Sequence, residues 1–185
     1  MKKILLSTAI CLIALSAMSQ EKYFTRTGHV SFHSETPIEK IEAHNYQSTS
    51  VLNATNGEMD FSILIKSFEF EKALMQEHFN ENYMESDKFP KATFKGAIKN
   101  FDKASLTKNG TYNIEVEGDM TIHGVTKKMT AKGTMEVKDG QIQAKADFPI
   151  TLKDYNIAVP KIAQEKISET VQVKVDLKYQ PYVKK

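Results

Sequence analysis

Residues 112–137 read YNIEVEGDMTIHGVTKKMTAKGTMEV. Two β-strands are written here almost without a break. Ile114, Val116, Gly118, Met120 and Ile122 share one face of the first strand. Met129, Ala131, Gly133, Met135 and Val137 share one face of the second. Side chains alternate along a strand, so each set lines one side of a sheet. A sheet that only fills a core puts large branched residues on that side. Here glycine and alanine interrupt the apolar rows. Either a second layer packs into those gaps, or the sheet curls and leaves a hollow.

The same alternation extends outward in both directions. Gly28, Val30 and Phe32 alternate with His29, Ser31 and His33, and Thr36-Pro37 ends that strand. Residues 38–45 form a weaker strand. Residues 46–52 and 58–66 flank Asn53-Ala54-Thr55-Asn56-Gly57, whose Asn-Gly end signals a hairpin. Ala92, Phe94, Gly96 and Ile98 share a face, as do Ile142, Ala144, Ala146, Phe148 and Ile150 after the Asp139-Gly140 turn. The last strand places Val171, Val173, Val175, Leu177 and Tyr179 inward.

Between residues 70 and 84 the period changes. Leu74, Met75, His78, Phe79 and Tyr83 recur at helical spacing, which predicts one inserted helix of about 14 residues. Pro160 opens a short second helical segment. Strands with one apolar and one charged face, joined by short turns, stack as a sandwich or close into a barrel. The inserted helix favours the second. The expected fold is all-β, an antiparallel eight-stranded barrel. At ~8 strands a barrel holds a small ligand if some inward side chains are short.

The N-terminal residues 1–19 read as a secretory signal peptide. Lys2 and Lys3 precede an apolar run from Ile4 to Leu15, and Ala17-Met18-Ser19 offers small residues for cleavage after Ser19. The run is shorter than the ~20 residues that span a bilayer. The expected destination is the periplasm or the outside of the cell, with one domain over residues 20–185. Cleavage would remove Cys11, the single cysteine, and two lysines, leaving 23 basic and 23 acidic residues. A balanced chain lacks the basic excess of a nucleic-acid binder.

Catalytic and metal signatures are missing from the pattern. His29 and His33 share a strand face but sit ~13 Å apart, and His44, His78 and His123 are scattered. No metal site and no cofactor are expected. No Gly-x-Ser-x-Gly elbow is present, and no catalytic residues are assigned. Asp119 points away from the apolar face. It reads as a turn-organising hydrogen bond or, less simply, a ligand contact.

Gly118-Asp119-Met120-Thr121-Ile122-His123-Gly124-Val125-Thr126-Lys127 resembles the Gly-Asp-Leu-Thr-x-x-Gly-x-Thr-Lys signature of the YceI-like family. His78, Tyr83, Lys88-Phe89-Pro90 and Ala92-Thr93-Phe94 resemble a second family segment, and Phe148 to Ile157 a third. The chain departs from the family at Leu152, where many members have arginine, and at Asn156, where they have glycine. The resemblance implies a lipocalin-like barrel, exported to the periplasm, that binds a polyisoprenoid or quinone-like lipid without catalysis.

The small inward residues favour a hollow over a filled interior. Its expected lining includes Phe61, Ile63, Phe94, Val116, Ala131, Ala144, Phe148 and Val173, with Leu74, Met75, Phe79 and Tyr83 of the helix at its entrance. At ~0.8 kcal/mol per buried methylene, a hydrocarbon tail needs no specific polar contact to bind. The function expected is sequestration or transport of that lipid. The alternative is a non-catalytic stress-response or protein-interaction barrel with a filled or vestigial cavity. The oligomeric state is not legible.

Overall fold

The computed structural model describes residues 22–182. The predicted signal peptide lies outside them. Nine strands run β1 (Lys22–Glu35), β2 (Lys40–Asn53), β3 (Glu58–Leu64), β4 (Glu69–Phe70), β5 (Lys91–Ile98), β6 (Gly110–Ile122), β7 (Val125–Lys138), β8 (Gln141–Thr151) and β9 (Thr170–Pro181). Their order is β1-β9-β8-β7-β6-β5-β3-β2-β4, and β1 also pairs with β2. Eight antiparallel strands therefore close into a barrel, and the two-residue β4 hangs outside the ring on β2.

The opening stretch forms the β6–β7 hairpin as read. Ile114 opposes Gly133, Val116 opposes Ala131, and Ile122 opposes Val125 across the turn. His123 (φ 50°) and Gly124 (φ 74°) both occupy the left-handed region, the signature of a two-residue type I′ turn whose twist suits a hairpin. Asp139-Gly140 repeats this at β7–β8.

Three features differ from the sequence pattern. Residues 40–53 form one strand of 14 residues, not two. The irregularity that looked like a break is taken up by register shifts against β1 around Gly28. The Asn45 amide stays inside the sheet, donating from Nδ2 to the Leu64 carbonyl (3.0 Å) while Oδ1 accepts from Gln47 N (2.8 Å). The inserted helix is shorter than predicted. Its regular part, α1, spans Ala73–His78 and continues as a wider π-type turn over Phe79–Tyr83. Phe70 belongs to β4 instead, opposite Ala43.

The third difference concerns the glycines. Gly96 and Gly118 face each other across β5 and β6. A Cβ on Gly96 would strike the Glu117 carbonyl and lie 2.8 Å from the Gly118 Cα, and one on Gly118 would strike the Lys95 carbonyl. Their small size lets two backbones approach; it does not empty the interior.

One half of the barrel is a packed core. Leu52, Met135, Ile142 and Tyr179 are among its fully covered side chains. The Tyr179 hydroxyl and Ser50 Oγ share a hydrogen bond of 2.8 Å, which satisfies both in a buried setting. Burial, opposed only by that bond, pushes the tyrosine well above its ordinary pKa. The other half is hollow.

Candidate ligand-binding cavity

The hollow has a volume of about 740 Å³. Successive inward positions of β3, β5, β6, β7, β8 and β9 form its wall. All eight residues singled out in the sequence lie on it. Six of them meet as cross-strand pairs: Phe61 with Phe94, Val116 with Ala131, and Phe148 with Val173. Ile63 opposes Ala92, and Ala144 opposes both Met135 and Leu177. Val116, Phe148 and Val173 keep part of their surface uncovered although they point inward from strand centres. That surface faces the cavity. Alanines at 131, 144 and 146 open the space, while the glycines at 96 and 118 do not line it.

The polar side chains of the lining gather at one end. Glu39 comes from the β1–β2 turn, Lys72, His78 and Asn82 from the α1 region, and Lys166 from the 152–169 connection. Lys72 Nζ lies 3.4 Å from Glu39 Oε1. Lys145 also borders the cavity, but its side chain leaves the barrel to meet Asp176 at 3.6 Å. Ser34, near the end of β1, also lines the cavity, its Oγ accepting from the Ser168 N–H at 2.8 Å, and the remaining wall is apolar. A long apolar tail fits that wall, and its polar end would sit among the charged groups of the mouth.

Leu74, Met75, Phe79 and Tyr83 all border the mouth, yet they do not form the buried stripe expected of the helix. Leu74 is 60% exposed, and no helix residue is fully buried. His78 is exposed as well. The anchor is Phe79. Its ring centroid lies 5.4 Å from Phe32, 5.6 Å from Phe68 and 5.0 Å from Phe70. Four phenylalanines from three elements thus clasp one side of the mouth. Burial also raises the Tyr83 phenol above its ordinary pKa.

Sequence reasoning missed this clasp and the opposite rim. Phe68 and Phe70 alternate at period two just before the helix, a signal masked by the helical run that follows. The rim opposite α1 comes from residues 157–167, where Ile162 is 92% exposed and still borders the cavity. His123, in the β6–β7 turn, links the segment that follows the helix to the one that precedes residues 157–167. Its Nε2 donates to Glu85 Oε2 at 2.8 Å, and its Nδ1 lies 3.2 Å from the Tyr155 carbonyl. Phe89 packs edge-on at 4.6 Å.

The remaining candidates are structural. Asp119 lies on the outer wall, 3.1 Å from Lys128 Nζ, so it organises no turn and contacts no cavity. The scatter predicted for the histidines fails at one place: His29 Nε2 and His44 Nδ1 approach to 3.1 Å across β1 and β2, with Tyr46 stacked on His29. Among the described residues, no group of three or more His, Cys, Asp or Glu could hold a metal ion. No helix among them is long and apolar enough to cross a membrane.

A closed antiparallel barrel around a one-ended apolar cavity defines a binding barrel of lipocalin-like form. The chain belongs to the YceI-like family, whose YceI-like domain matches residues 23–179. Among solved structures, it is similar to a polyisoprenoid binding domain from Saccharophagus degradans implicated in plant cell wall breakdown. The TM-score is 0.76 at 16% identity, covering 88% of this chain and 99% of that one. It is also similar to Burkholderia cenocepacia BcnA, with a TM-score of 0.68 at 17% identity and coverage of 83% and 96%. A Campylobacter jejuni YCEI protein follows at 0.55 and 15%, covering 98% and 100%. No curated protein matches the chain. At such identities the likeness is one of fold.

Proposed function

We propose that the protein sequesters or carries a lipid with an isoprenoid tail, a polyisoprenoid or a quinone-like molecule, with the tail inside the barrel. The carrying observation is the segregation of the cavity: an apolar wall enclosing about 740 Å³, with its polar side chains confined to the mouth. Buried methylenes at ~0.8 kcal/mol each supply the affinity, and the mouth orients the head. The similar fold of a polyisoprenoid binding domain supports the choice of tail. The reading is non-enzymatic, because the apolar wall presents no nucleophile and base to the tail. The leader at residues 1–19 supports a periplasmic or secreted setting, with Gln20 as the first mature residue.

Mass spectrometry of an organic extract of the purified, exported protein tests this reading. An isoprenoid-tailed lipid at near-stoichiometric amount is the expected result. An empty extract from folded protein would contradict it. N-terminal analysis of the same sample should begin at Gln20 or within a residue or two, and an intact Met1 in the periplasmic fraction would remove the export reading.

A further inference from the structure

We infer that the packed half of the barrel is a fixed floor, which makes the cavity a ruler for tail length. The inference rests on the lipid-binding reading above. The cavity wall stops at one level on successive strands. On β7 Gly133 lines it and Met135 does not; on β8 Ala144 lines it and Ile142 does not; on β9 Leu177 lines it and Tyr179 does not. These positions are register neighbours. Met135 opposes Ala144, Ala144 opposes Leu177, and Ile142 opposes Tyr179. The three side chains that close the space are each at most 2% exposed. Tyr179 is further tied to Ser50. Close-packed interiors do not part to admit a chain end without creating strain, so the floor does not yield as the tail grows.

The capacity above that floor is finite. A water molecule claims ~30 Å³ of liquid, and a methylene takes up about as much space. On that scale 740 Å³, part of it at the open mouth beside Leu74 and Ile162, holds roughly 25 carbons, about five isoprene units. A shorter tail leaves part of the wall without partners. A longer one leaves methylenes outside at the mouth, each forfeiting ~0.8 kcal/mol, about a fourfold loss in affinity. Binding from a micelle therefore has an optimum in tail length, set by Met135 and its neighbours and not by the head group.

The test is a competition. Delipidated protein is exchanged against detergent micelles holding equimolar prenols of two to nine isoprene units, and the captured prenols are quantified by mass spectrometry. Capture should peak near five units and fall at least tenfold by eight. Ala144→Met raises the floor and should move the peak to shorter tails by about one unit. Met135→Ala deepens the cavity and should move it the other way. If Met135→Ala fails to fold, Ala144→Met alone decides. Capture that rises steadily to the longest prenol, or a peak that Ala144→Met leaves in place, overturns the ruler while lipid binding stands. No capture at any length overturns both.

Discussion

The two halves of the barrel are built from the same strands and differ only in what their inward rows contain. Toward the floor the rows read Met135, Val137, Ile142 and Tyr179; toward the mouth they read Ala131, Gly133, Ala144 and Ala146. The first set sits side by side on adjacent strands, Val137 opposite Ile142 and Ile142 opposite Tyr179, and is fully covered. The second leaves room for ~25 carbons. The wall is continuous, so the packed half holds the strands in register while the hollow half stays empty of side chains. Stability and binding are thereby assigned to different ends of the same strands.

That division can be broken by substitution. The largest expected effect is at the packed end. Leu52→Ala removes a side chain that is 1% exposed and should cost ~2–5 kcal/mol, measured by urea denaturation, without altering lipid content per folded molecule. A loss of lipid with stability intact would show that the halves are not separable.

A sharper contrast lies on the β6–β7 hairpin itself. Gly118 and Ala131 both supply small inward positions, for opposite reasons. Gly118→Ala should cost ~1–3 kcal/mol by forcing strands apart at the Lys95 carbonyl. Ala131→Val places its methyls in the cavity and should change stability by well under that amount. Equal costs in the same denaturation series would contradict the assignment.

The residues that carried the reading were those in regular alternation. Val116, Ala131, Phe148 and Val173 all reach the cavity because period-two patterns leave no choice of face. What was not legible needed three-dimensional partners. Gly96 and Gly118 look the same as alanine 144 in a pattern, and only strand register shows that they face each other. The Phe79 clasp draws on Phe32, which is distant in sequence. The helix was read too long because Phe70 continues its apolar spacing, while backbone pairing with Ala43 holds it in a strand.

At the mouth, Phe79→Ala removes three ring contacts and should loosen α1 by ~1–2 kcal/mol, raising the lipid release rate about 5- to 30-fold. Leu74→Ala, at an exposed position, should change it little. Release followed by transfer to acceptor vesicles checks both, and the double variant should match Phe79→Ala alone. The smallest effect is on the outer wall. Asp119→Asn breaks an exposed pair with Lys128 and should cost no more than ~1 kcal/mol, with lipid content unchanged by extraction.

The most direct test of the hollow half is to fill it. Ala131→Phe combined with Ala144→Leu adds bulk to the wall of two adjacent strands, from just above the floor upward, without touching the mouth. Lipid content should be measured by mass spectrometry beside circular dichroism and urea denaturation. The account predicts a folded variant that retains the β signal and near wild-type stability but carries no lipid. A folded variant that copurifies with the wild-type amount of the same lipid would contradict it.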